Sequence, residues 1–297
     1  MIYHLPKLRE IVRSDFSQEL STGFASESEI DIWLNEAYYK YVMRLMMASQ
    51  GHFDQTTYLD IVASTETISL PNNFANVPSL LSVVRVEKVL SNVRVPLMYR
   101  RRYDESTATA SVVAGYTYIP TYDFRGQYLV LEPTPGSSET SGLFMVYKAL
   151  PPKLHSAYCG GSGSSTTVTL DSTADERDDY YNGSRIMITS GPGAGTIGRI
   201  TDYVGSTKVA TVDVSFSSAT VASVFSTLIH DDFPEHFHDL IYLYATKRIF
   251  QKERSMGTAR AYDGEVLKER ETEFYRFTEK KTDARTQIQP WNLEMFA

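Results

Sequence analysis

Between residues 26 and 48 a run of apolar side chains falls at Ile30, Trp33, Leu34, Ala37, Tyr38, Tyr41, Val42, Leu45 and Met46. Steps of three and one alternate along this run, which places all of them on one face of an α-helix. Ser26 followed by Glu29 has the form of a capping box, in which hydroxyl and carboxylate each satisfy an orphaned backbone N–H, so the helix starts there. Such a helix is about 30 Å long, and an apolar stripe of that length needs cover from other elements. Ile30, Trp33, Leu34, Ala37, Tyr38, Tyr41, Val42 and Leu45 are its predicted core face.

Elsewhere the pattern changes period. Residues 5–16 read as a short amphipathic helix with Pro6 in its first turn, where a missing N–H costs little, and 17–25 as a polar linker. Beyond Gly51 the alternation is that of strands, at 57–62 and 66–70, the second ended by Pro71-Asn72-Asn73. Residues 80–90 read as a buried strand, with others at 94–99, 115–119, 127–132 and 142–147. Glu132-Pro133-Thr134-Pro135-Gly136 makes a tight connection between the last two, Pro fixing φ and Gly allowing reversal. The expected result is an antiparallel sheet beside the main helix.

Pro151-Pro152 marks another change, and 160–165 read as a flexible Gly/Ser linker. From 166 to 228 the chain is rich in Ser, Thr, Val and Gly, with strands expected at 167–170, 184–189, 198–203, 208–214 and 223–228. Short, evenly spaced strands predict a small sandwich or barrel. Helical pattern resumes after Asp231, Asp232 and Pro234, with Phe237, Leu240, Ile241, Tyr244, Ala245 and Ile249 on one face. Gly257 interrupts it, and a more charged helix over 258–281 carries Tyr262, Val266, Phe274 and Phe277. The long N-terminal helix needs partners, and these two are the comparable ones, so the segment between is an insertion. The predicted fold class is α+β: a bundle of N- and C-terminal helices, an antiparallel sheet, and an inserted all-β domain. The boundaries are 1–155 and 230–281 for the core, 156–229 for the insert, and 282–297 for an extended arm.

Composition narrows the class. A chain of 297 residues with 22% charged and 42% hydrophobic residues suits about two folded domains. No apolar run reaches the roughly 20 residues that span a bilayer, and the opening residues lack the basic-then-apolar order of a secretory signal, so a cytoplasm-like compartment is expected. Cys159 is the single cysteine, which excludes an internal disulfide and a cysteine zinc cluster. A net charge of -7 argues against gripping nucleic acid through phosphates. Arg100-Arg101-Arg102 reads as a solvated strand end or a subunit salt bridge ahead of a phosphate contact. An acidic protein still suits DNA that slides past without sticking.

Candidate chemistry is sparse. Gly191-Pro192-Gly193-Ala194-Gly195-Thr196 lacks the Lys-Ser/Thr pair and helix of a phosphate loop and reads as a hairpin turn. His230, Asp231, Asp232, Glu235, His236, His238 and Asp239 are dense in ligand types, but His236 and His238 sit on different helix faces; helix-start acids are the plainer account. Asp175, Asp178, Asp179, Asn182 and Gly183 lack EF-hand spacing and read as a turn. No catalytic, metal or cofactor residue is assigned.

The run Trp33-Leu34-Asn35-Glu36-Ala37-Tyr38-Tyr39, then Ile68-Ser69-Leu70-Pro71-Asn72-Asn73-Phe74, then Leu129-Val130-Leu131-Glu132-Pro133-Thr134-Pro135 and Leu143-Phe144-Met145-Val146-Tyr147-Lys148 resembles, in that order, head-tail adaptor proteins of tailed bacteriophages. The stretches from Phe237 to Ala245 and from Ala259 to Tyr262 are similar to that family's closing helices. Asp178 to Gly183, Ser190 to Gly195 and Thr207 to Val212 resemble a small β module of phage virion proteins. The resemblance implies a non-enzymatic virion part in the neck: a ring, commonly of twelve copies, beneath the portal protein. Such a ring extends the double-stranded DNA channel and presents a platform to tail or nozzle proteins. It also implies that the C-terminal segment, with Pro290, Trp291, Leu293, Met295 and Phe296, docks on the portal. The alternative is a tail-associated host-surface or glycan-binding module.

Overall fold

The computed structural model describes residues 3–17, 25–48, 51–71, 83–90, 93–99, 121–126, 128–252 and 266–282. The chain divides into two compact units, Met1–His52 with Pro151–Ala297, and Phe53–Leu150.

Among the described residues, four α-helices belong to the first unit: α1 (Leu5–Ser17), α2 (Glu27–Met47), α3 (Asp239–Lys252) and α4 (Lys268–Thr282). α2 starts at the capping box, Ser26 accepting from the Glu29 N–H and the Glu29 carboxylate accepting from the Ser26 N–H. α2 packs against α1 and α3, and its Tyr41 meets Phe274 of α4 edge-on; Leu8 and Val12 of α1, Leu240, Ile241, Ala245 and Ile249 of α3, and Phe274 are all buried. Each such side chain contributes about 1.5–3 kcal/mol on burial, which is what makes helices of ordinary propensity persist. The last helix differs from expectation. The described residues of this segment begin at Val266 and its α-helix at Lys268; Tyr262 lies outside the described residues, Val266 is exposed, and Leu267 and Phe274 carry the apolar burial.

The same unit holds one six-stranded antiparallel sheet, ordered β10-β13-β12-β11-β14-β9. Its strands are β9 (Ser156–Tyr158), β10 (Thr167–Thr169), β11 (Arg185–Ser190), β12 (Ile197–Val204), β13 (Val209–Val212) and β14 (Val224–Thr227). β12 pairs with β11 through residues 197–199 and with β13 through 200–204, so the sheet turns over along this strand. It encloses its own core, including Val168, Ile186, Ile188, Ile200, Tyr203, Phe216 and Phe225.

The Gly/Ser stretch at 160–165 is not a flexible linker. Gly160 N–H donates to the Thr169 carbonyl at 3.0 Å and Gly163 N–H to the Ala219 carbonyl at 2.9 Å, so the stretch is bonded into the sheet. A Cβ on Gly160 would stand 2.3 Å from the Leu170 carbonyl oxygen, and one on Gly163 2.1 Å from that of Phe216. Glycine is required here for close backbone approach, a use that composition does not distinguish from flexibility. Cys159, immediately before this stretch, is 4% exposed in the core.

The second unit contains two four-stranded sheets where one was expected. The first is ordered β1-β8-β3-β4 and the second β2-β7-β6-β5. Their strands are β1 (Asp54–Ile61), β2 (Thr67–Ser69), β3 (Val83–Leu90), β4 (Val93–Pro96), β5 (Met98–Tyr99), β6 (Thr121–Arg125), β7 (Tyr128–Glu132) and β8 (Glu139–Lys148). Val86, Leu143 and Met145 of one sheet share a core with Tyr122, Leu129 and Leu131 of the other. The strand β6, with Tyr122 and Phe124 alternating, was not anticipated. β7 and β8 lie in different sheets, so the Pro-rich connection crosses between sheets instead of closing a hairpin. Gly136 accordingly keeps an ordinary φ, and it is Gly126, φ 61°, that turns the β6–β7 hairpin. The predicted strand at 115–119 and residues 80–82 and 127 lie outside the described residues.

Candidate functional site

The polar margins of α2 tie it to each of the other described α-helices of its unit. Arg9 of α1 donates from Nε to Asp31 Oδ1 at 2.6 Å. Lys252 of α3 donates to Glu29 Oε1 at 2.6 Å, and Tyr244 OH donates to Glu36 Oε1 at 2.7 Å, where Arg248 also binds. Lys40 Nζ and Tyr41 OH both donate to Glu271 Oε1 of α4, each at 2.7 Å. Ile30, Leu34, Ala37, Tyr38, Tyr41, Val42 and Leu45 are buried. Trp33, at the edge of the stripe, is only half-buried, with Lys252 Nζ 6.0 Å from its ring centroid.

At Glu36 and Glu29 these contacts favour the ionised carboxylate. Burial pushes the Glu36 carboxyl up, but the Tyr244 and Arg248 hydrogen bonds outweigh it and the net shift is downward from 4.5. The Lys252 hydrogen bond, followed by the Ser26 N–H, holds Glu29 down as well. A carboxyl lowered in the folded state supplies stability above its unfolded pKa and loses it as pH falls through the folded one. Urea titrations at stepped pH are therefore expected to show constant stability near neutrality and a decline below about pH 4.5. Glu36→Gln should flatten that decline; an unchanged acid limb in this variant would count against Glu36 as a contributor.

A different face of α2 holds backbone. The Asn35 amide nitrogen donates to the Leu154 carbonyl at 3.1 Å and to the Asp31 carbonyl at 3.0 Å, while its oxygen accepts from the Leu154 N–H at 2.8 Å. Tyr39 OH donates to the Pro151 carbonyl at 3.1 Å, and Tyr38 OH accepts from the His230 N–H at 3.1 Å. Burial raises the pKa of both phenols, which keeps them neutral. Asn35 was not singled out by sequence reasoning. Its only signal is the helical spacing of positions 35, 38 and 39, because its partner is 119 residues away.

The ligand-type clusters resolve into local structure. His230 Nδ1 accepts from the Asp232 N–H at 3.2 Å, Asp231 pairs with Arg185 at 3.0 Å, and Asp239 with Arg270 at 2.6 Å. The His236 ring packs on Phe237 with centroids 4.1 Å apart, whereas His238 meets the Phe233 carbonyl at 3.2 Å. Asp175 binds Arg177, Asp178 accepts from the Gly205 N–H at 2.7 Å, and Asn182 donates to Asp179 at 2.7 Å. Gly191, Gly193 and Gly195, all at positive φ, turn the chain between the paired strands β11 and β12. Among the described residues, no three His, Cys, Asp or Glu side chains group as metal ligands, and no helix is long and apolar enough to cross a membrane. Arg100-Arg101-Arg102 and the arm residues Pro290, Trp291, Leu293, Met295 and Phe296 lie outside the described residues.

No curated protein is matched by the chain. The family model described as SU10 adaptor protein matches residues 7–159. That stretch runs through α1 and α2, the whole of the Phe53–Leu150 unit, and β9. With more than half of its length matched, the chain belongs to the SU10 adaptor protein family, structural adaptors of bacteriophage virions.

Proposed function

We propose that this phage adaptor works at the head-to-tail junction, as a ring attached beneath the portal that extends the DNA channel and offers a platform to tail or nozzle proteins. The observation that carries the reading is the family match over 7–159, which includes the helix motif Trp33 to Tyr39. The net charge of -7 suits a channel that passes double-stranded DNA without retaining it. In this reading 1–155 and 230–281 are the adaptor core, 156–229 an inserted β domain, and 282–297 an arm toward the portal. Ring closure uses heterologous contacts, one surface of a copy meeting a different surface of the next. The work is mechanical and needs neither catalytic residue nor cofactor.

Trp291 and Phe296 are the proposed anchors of the arm, since buried aromatic residues dominate binding hot spots at about 2 kcal/mol or more each. Truncation after Asp283 is expected to leave the melting temperature nearly unchanged and to abolish binding to purified portal. A large drop in melting temperature would assign the arm to its own subunit, and undiminished binding would move the docking surface to the helices. Neck particles isolated with portal but lacking this chain would overturn the adaptor reading as a whole.

A further inference from the structure

Two short stretches flank the six-stranded sheet: residues 151–155, which enter β9 after the Phe53–Leu150 unit, and 228–232, which lead from β14 toward α3. A pair of single-chain connections is ordinarily a hinge, because each retains free backbone torsions. Here the leading stretch is stapled to the last residue of β14. Thr227, 1% exposed, accepts at Oγ1 from the His155 N–H at 2.8 Å and donates its own N–H to the His155 carbonyl at 2.9 Å. The pair is also fixed to the helices. Leu5 N–H donates to Ser226 Oγ at 3.3 Å, and His4 forms a β-bridge with Leu228. Tyr38 holds the trailing stretch at His230, while Tyr39 and Asn35 hold the leading one at Pro151 and Leu154.

Asn35 is the least replaceable of these contacts. A primary amide presents a donor and an acceptor side by side, as an extended peptide does, so Asn35 pairs with both polar groups of Leu154 as a neighbouring strand would. Its amide nitrogen also reaches the Asp31 carbonyl one turn back, which pins the side chain to its own helix. We infer that Asn35 is the positioning residue of the β sheet: it sets the direction in which residues 156–227 project from the helices, so that sheet and helices move as one body. The helices and this sheet fall within a single compact unit, as that coupling requires. A surface already oriented loses less conformational freedom when it meets a partner, whatever that partner is.

Pulsed electron-resonance distances in the full-length chain test this, with spin labels at Ser206→Cys and Gln251→Cys, both exposed positions. Cys159 is buried and burial pushes its thiol up, so it does not compete for label. The parent chain is expected to give one narrow distance. Asn35→Ala, and Asn35→Asp, which keeps the acceptor but loses the donor, should broaden and shift it while hydrogen-exchange protection within β11 and β14 is retained. Glu36→Gln, on the same helix but away from these contacts, should lower the melting temperature without broadening. A narrow distance in Asn35→Ala overturns the inference, as does equal broadening in Glu36→Gln. Should Asn35→Ala not fold, Tyr39→Phe gives the same reading, since it keeps the ring and removes the hydroxyl that bonds Pro151 and Tyr180: broadening supports the coupling and an unchanged distance overturns it.

Discussion

Replacing Gly163 by alanine is expected to disrupt the six-stranded sheet, at a cost of about 3 kcal/mol or more. The added Cβ would lie 2.1 Å from the Phe216 carbonyl oxygen and 3.0 Å from its carbonyl carbon. Those are backbone atoms, so no rotamer change relieves the overlap; one of two bonded segments must move. Moving either breaks contacts in series, because Gly163 N–H bonds the Ala219 carbonyl, Ser164 N–H bonds that of Thr167, and Phe216 N–H bonds that of Ser164. Phe216 itself is 1% exposed in the core, so its displacement opens a cavity. Gly136→Ala is the matched control. No atom lies within 4 Å of a Cβ there, and its φ is ordinary, so a change within about 0.5 kcal/mol is expected. Denaturant melts of both variants decide the matter: equal stability would return 160–165 to the status of a linker.

That contrast marks where local pattern stops being informative. α2 is legible from its sequence because both of its determinants are local: a three-and-one apolar spacing, and a Ser26-Glu29 cap confined to four residues. The turn from Gly191 to Gly195 is legible for the same reason, since it needs only φ > 0 at nearby positions. Strand partners are not local. β1 pairs with β8 through Tyr58 and Phe144, and nothing near either residue says that β7, adjacent in sequence to β8, joins the other sheet. β6 is too short for its Tyr122–Phe124 alternation to stand out. Glycines at 160 and 163 look the same whether they supply freedom or let two backbones approach. Asn35 shows the limit for sites: its role is carried by peptide groups at Leu154, and peptide groups leave no trace in residue identity.

Truncating Phe274 to alanine is expected to release α4 while leaving the rest of the bundle folded. Apart from Phe274 and Leu267, the described apolar side chains of this segment are exposed or only half-buried, and the helix is otherwise largely charged or polar. The Phe274 ring is fully buried, meeting Tyr41 edge-on at 5.4 Å, Phe237 edge-on at 5.1 Å and Phe233 at 6.2 Å. Removing such a ring costs about 3–5 kcal/mol, as transfer and cavity terms add. The ion pairs of α4 cannot offset that. Lys40–Glu271 at 2.7 Å and Arg270–Asp239 at 2.6 Å are both partly exposed, and pairs of this kind contribute about 0–1 kcal/mol each. One aromatic anchor therefore outweighs the whole polar seam. The buried stripe of α2 against α1 and α3 does not pass through Phe274, so that part of the bundle retains its cover. Hydrogen exchange should accordingly accelerate across 268–282 in Phe274→Ala and stay slow across 239–252, with Lys40→Ala producing a much smaller change. Uniform loss of protection through both helices would instead make α4 part of a single cooperative unit with α2 and α3.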